Sequence, residues 1–157
     1  MGENTIAILE TAILYNSTNL VEEQYYSTEN VLDKGIRNGL LQAIKNLTNE
    51  AFGEDIQSFS LGNYSIIIVS HDIEVPTIND STTESPSLMM YAIVDKKTDE
   101  KIVIKAMNSI LTHFLNRYSW NDIQNLRLKK FKKFKSRLEK IFGDLILRSE
   151  DRFKSLF

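Results

Sequence analysis

Seven consecutive apolar residues, Leu88 to Val94 (LMMYAIV), constrain the fold of this chain most strongly. A strand with one wet face alternates apolar and polar residues, whereas a strand buried on both faces reads as an unbroken apolar run. The run therefore predicts a central strand with a covering layer on each side. A chain of 157 residues can supply those layers from one domain and bury roughly two-thirds of its unfolded surface. A single domain over residues 1–157 is expected.

The flanking segments give the rest of the sheet. Thr5 to Tyr15 is rich in β-branched and apolar residues and ends at the polar turn Asn16-Ser17-Thr18-Asn19, after which Leu20 to Tyr26 reads as a return strand. Ser27 to Asn30 offers helix N-caps, and a helix follows to about Phe52, closed by Gly53. Its stripe is Ile36, Leu40, Ala43, Ile44, Leu47 and Ala51. Ile56 to Leu61 and Tyr64 to Ser70 flank Leu61-Gly62-Asn63, a second hairpin signal. Residues 71–86 are polar, hold both prolines and read as a mobile loop. Thr98 or Asp99 caps a helix to about Tyr118, although the β-branched run Ile102-Val103-Ile104 weakens its start. A last helix is expected over 120–148, with Ile123, Phe131, Phe134, Leu138, Ile141, Phe142 and Leu145 on its core-facing stripe.

The resulting order, β-β-α-β-β-β-α-α, predicts an α/β fold. It is expected to be a three-layer α/β/α sandwich whose five-stranded, mostly antiparallel sheet carries one long helix on one face and two on the other.

This order resembles the longin domain, the profilin-like module of vesicle-trafficking proteins. The residues that carry the resemblance are Ile8 to Tyr15, the helix around Gly39-Leu40-Leu41-Gln42-Ala43-Ile44, the turn Gly62-Asn63-Tyr64, and Met90 to Asp95. The resemblance covers nearly the whole chain, from Ile6 to about Leu145, but these residues are fold signals, with no chemical motif among them. Roadblock domains share the sheet but begin with a helix, where this chain begins with a strand. The resemblance implies a non-enzymatic module that pairs with longin or roadblock domains, or forms a platform for small Ras-like GTPases, as a homo- or heterodimer. It implies an interface along the first helix and third strand, here Gly35 to Phe52 and Ile56 to Leu61. The expected interface residues are Gly35, Gly39, Leu41, Lys45, Phe52, Ile56 and Ser58. Gly35 and Gly39 also form a Gly-x-x-x-Gly spacing, which in a soluble helix is expected to let the helix approach the sheet.

Chemistry is sparse. There is no Cys, and the only His residues are His71 and His113, so a disulfide framework, a thiolate nucleophile and a His/Cys zinc site are excluded. No phosphate-binding glycine motif, calcium-loop spacing or nucleophile elbow occurs. His71-Asp72 reads as part of a solvated loop, His113 as a residue at the border of an amphipathic helix, and Asp95, Asp99 and Glu100 as turn or helix-start residues. No catalytic residue, cofactor or metal is expected. Met1 to Ile6 fails the N-myristoylation pattern at Ile6. No signal peptide or membrane span is read, so a cytoplasmic protein, peripheral at membranes, is expected.

One segment stands out by charge. Arg127 to Lys140 (RLKKFKKFKSRLEK) holds eight basic residues and Glu139, a net +7, while the other 143 residues hold eleven basic and twenty acidic ones, a net −9. The formal total of −2 thus conceals a dipole. On one continuous helix, Lys129, Lys133, Arg137 and Lys140 lie opposite the aromatic stripe, with Lys130, Lys132 and Lys135 on its flanks. Either this is a docked helix solvating its charges, or its ridge meets an acidic protein or an anionic membrane. Nucleic acid is the least favoured partner, because the aromatics share the stripe with core residues and the chain is acidic as a whole.

Overall fold

The computed structural model describes residues 8–16, 18–24, 39, 42, 56–61, 64–75 and 86–143. Five strands form one antiparallel sheet: β1 (Ile8–Tyr15), β2 (Thr18–Gln24), β3 (Ile56–Leu61), β4 (Tyr64–Asp72) and β5 (Ser87–Asp95), in the spatial order β2-β1-β5-β4-β3. The apolar run takes the middle place, as its composition requires. Leu88, Met90, Ala92 and Val94 enter one core, Met89, Tyr91 and Ile93 enter a second, and all seven are buried. The sheet is antiparallel at every pairing, which is stricter than the mostly antiparallel arrangement expected.

Irregular pairing explains the edges. Between β1 and β2, Ile13 pairs with Val21 but Leu14 with Asn19, so Leu20 is an extra residue on β2. A bulge of this kind turns neighbouring side chains toward one side, and Leu20 and Val21 are both buried in the same core. The turn before β2 is shorter than expected, since Tyr15 pairs directly with Thr18. Asn16 makes this possible at φ 46°, a left-handed conformation that Asn tolerates better than most residues. Leu61 likewise pairs with Tyr64 across the second hairpin.

Helix α1 (Glu100–Arg117) follows β5. Asp99 is its cap and accepts from Lys101 N at 3.1 Å, while Asp95 accepts from Lys97 N at 2.9 Å in the turn before it. Both carboxylates therefore play the helix-start and turn roles read for them. The run Ile102-Val103-Ile104 is helical, with Val103 buried alongside Met107, Ile110, Leu111 and Phe114. Burial of this face outweighs the small helix penalty of β-branching.

The expected last helix is broken. In its place stand α2 (Trp120–Gln124), α3 (Leu128–Phe131), a 3-10 turn (Lys132–Phe134) and helical residues 135–143. The break falls at Leu126, whose φ of 49° is outside the helical region. No Gly or Pro occurs between residues 120 and 140 to mark it. The apolar stripe nonetheless reaches the core, since Ile123, Phe131, Phe134, Leu138 and Phe142 are all buried. Among the described residues, no helix is long and apolar enough to cross a membrane.

Of the first predicted helix, Gly39 and Gln42 are described, and both are helical. Gly35, Leu41, Lys45 and Phe52 lie outside the described residues, as do positions 76–85 of the predicted loop and 144–148 of the last predicted helix.

Candidate interaction surfaces

The basic segment is held by an aromatic anchor and a capped bend. Phe114 of α1 and Tyr118, which caps its C-terminal end, meet Phe131 and Phe134 with ring centroids 4.9 to 6.1 Å apart across the two segments, in tilted or edge-to-face arrangements. Such pairs add to the gain from area burial. The Tyr118 hydroxyl also donates to Lys130 O at 3.2 Å.

At the bend, Ser119 and Asp122 form a reciprocal capping box: Asp122 N donates to Ser119 Oγ and Ser119 N to Asp122 Oδ2, both at 3.2 Å. Asp122 is only 6% exposed. The same carboxylate receives Lys130 Nζ at 3.0 and 3.1 Å, and Arg127 Nε lies 3.9 Å away. The Lys130 hydrogen bond, joined by those to Ser119, holds the Asp122 carboxyl below the usual Asp range against the opposing effect of burial.

These contacts divide the predicted ridge. Lys130 is committed to Asp122, and Lys135 lies 3.8 Å from Glu23 of β2. Lys129, Lys132, Lys133, Arg137 and Lys140 are exposed and make no ion pair among the described residues. A groove of about 610 Å³ separates Leu128, Lys132 and Lys135 from residues Asn19 to Glu22 of β2. Leu126 and Leu128, each 41% exposed, stand beside the cations. Their one sequence signal is that both fall off the Ile123/Phe131/Phe134 stripe.

The predicted partner edge lies across the sheet. β3 is an outer strand, with Ser58 and Ser60 exposed and Phe59 packed against the second core. Ser58 Oγ donates to Glu100 Oε1 at 2.7 Å, tying this edge to the start of α1. Ile56 belongs to the strand. Gly39 departs from the packing role expected of it. It is exposed, and a Cβ added there would meet nothing within 4 Å.

His71 also differs from expectation. It belongs to β4 instead of a solvated loop, is half-buried, and lies with Nε2 2.7 Å from Asn108 Oδ1 of α1. Beyond it, Ile73 N donates to Pro86 O at 2.7 Å. A recess of about 420 Å³ opens between His71 to Glu74 and the end of α1. No cluster of three metal-ligating side chains occurs among the described residues. His113 is exposed.

A buried polar pair escaped the sequence reading. Glu10, 6% exposed, accepts from the Tyr91 hydroxyl at 2.7 Å, and Thr11 Oγ1 donates to Tyr91 O at 2.7 Å. A Glu inside an otherwise apolar strand was its only signal.

No known protein family matches the chain, and no curated protein matches it significantly.

Proposed function

We propose that this chain is a non-enzymatic interaction module of longin-like architecture. It serves as a dimerisation or GTPase-binding platform in vesicle trafficking or small-GTPase regulation. The partner is a second longin or roadblock domain or a small Ras-like GTPase. The strand order supports this reading: two hairpins flank a central β5, and α1 follows it. Burial of Ala12, Leu14, Ile66, Ile68, Met89, Tyr91 and Ile93 on the second face fits a three-layer sandwich with the first helix as its outer layer.

The observation that carries the proposal is the open edge. Among the described residues β3 is the last strand of the sheet, and Gly39 is an exposed helical position where an added Cβ would meet nothing within 4 Å. An edge strand and a helix position without a side chain each admit a second backbone closely. His71 contributes to the non-enzymatic reading, since its Nε2 is engaged by Asn108.

Light scattering on the purified protein tests it. A concentration-dependent dimer is expected, and Gly39→Arg should yield a monomer with an unchanged circular dichroism spectrum. A wild-type chain that stays monomeric at about 1 mM, near the weak limit of measurable association, would remove the homodimer.

A further inference from the structure

Leu126 breaks two local rules at once. It is exposed, and it occupies the left-handed region that Gly or Asn adopts far more readily than Leu. The backbone around it is pinned: Leu126 N donates to Ile123 O at 3.1 Å, Arg127 N to Asp122 O at 3.1 Å and Leu128 N to Leu126 O at 2.8 Å. The bend is thus a fixed knuckle carrying two leucines, which are the only large apolar side chains exposed among the described residues. A residue that is strained and adds little to the core points to a role outside folding.

Cations follow the knuckle along the chain, and Leu128 shares a groove with Lys132 and Lys135. Lys129, Lys132, Lys133, Arg137 and Lys140 are exposed and unpaired among the described residues. The segment carries +7 while the rest of the sequence carries −9, so a negative plane would attract this segment in particular.

We propose that the knuckle and its basic segment form a docking surface for an anionic membrane. Leu126 and Leu128 enter the boundary between headgroups and acyl chains, and the lysines lie among the anionic headgroups. A bilayer is favoured over an acidic protein because it needs no pocket shaped to the leucines, whereas a folded partner does. The segment packs beside β2, at the opposite edge of the sheet from β3. Membrane and protein partner could then be held together, although the lipid surface does not depend on the proposed dimer.

Co-sedimentation of the full chain with vesicles tests this. The vesicles are phosphatidylcholine alone or with about one-third phosphatidylserine, at about 0.05 and 0.5 M salt. Binding to the anionic vesicles at low salt is expected, at least about tenfold weaker on neutral vesicles and at high salt. Lys132→Glu/Lys133→Glu should weaken it by more than about tenfold. Leu126→Asn/Leu128→Gln, whose Asn suits the bend, should weaken it about tenfold with circular dichroism unchanged. Failure to bind either vesicle overturns the proposal. Anionic binding that ignores the leucine substitutions overturns it too, leaving only diffuse charge attraction. Binding of a labelled poly-glutamate peptide without vesicle binding would assign the surface to an acidic protein instead.

Discussion

Lys130 Nζ lies 3.0 and 3.1 Å from the two carboxylate oxygens of Asp122, eight residues earlier and on the far side of the left-handed residue Leu126. A single carboxylate thereby closes the cap of α2 and ties down the start of the basic segment. Breaking this contact should loosen the bend without removing the aromatic anchor.

The pH dependence of this contact follows from its sign. Asp122 titrates below its ordinary value in the folded protein. Its contribution is therefore fully present above the unfolded Asp value and is lost as pH falls through the lower folded value. Asp122→Asn should lower the urea midpoint at neutral pH, and the gap to wild type should close as pH drops below about 4. Urea titrations across that range check this, and a gap independent of pH would count against it.

Relieving the strain at Leu126 should stabilise the fold. Leu126→Asn exchanges an exposed leucine at φ 49° for a residue that accepts this region, a gain of about 1 kcal/mol. For a chain of this length, that raises the melting temperature by about 2–4 °C. Scanning calorimetry measures it, and a lower melting temperature would show that the leucine contributes more packing than strain.

Tyr91→Phe should destabilise the protein by about 1–3 kcal/mol, because a buried carboxylate loses a hydrogen-bond donor. The hydroxyl it removes sits 2.7 Å from Glu10 at the sheet's second face. Chemical denaturation of both proteins gives the difference. A change below a few tenths of a kcal/mol would show that Glu10 is satisfied without the hydroxyl.

Phe134→Ala removes a fully buried ring that meets both Phe114 and Tyr118. The expected cost is about 3–5 kcal/mol, a large share of the roughly 5–15 kcal/mol that holds a domain together. Lys133→Ala, at an exposed neighbouring position, should change stability by less than about 0.5 kcal/mol. Parallel unfolding curves distinguish the anchor from the ridge.

Much of the sheet was legible because period and composition report directly on burial. The run Leu88 to Val94 is central because only a strand covered on both faces stays apolar at every position. Asp99 caps α1, as its place before the periodic stretch implies. The basic residues of 127–140 are exposed and the Phe131/Phe134/Leu138 stripe buried, as the amphipathic pattern requires.

The sequence by itself thus determined the two hairpins, the central place of Leu88 to Val94 and which faces are buried, since these follow from local pattern, whereas the pairing of β5 with β1 and β4 was decided by the tertiary structure. The tertiary structure alone decided the bend at Leu126, the commitment of Lys130 to Asp122, the contact between His71 and Asn108, and the exposure of Gly39. A helical pattern with no Gly or Pro carries no stop signal. The break exists because capping by Ser119, a carboxylate shared with Lys130, and aromatic packing on α1 together outweigh one unfavourable backbone conformation. Each of those terms depends on groups that meet only once the chain is folded.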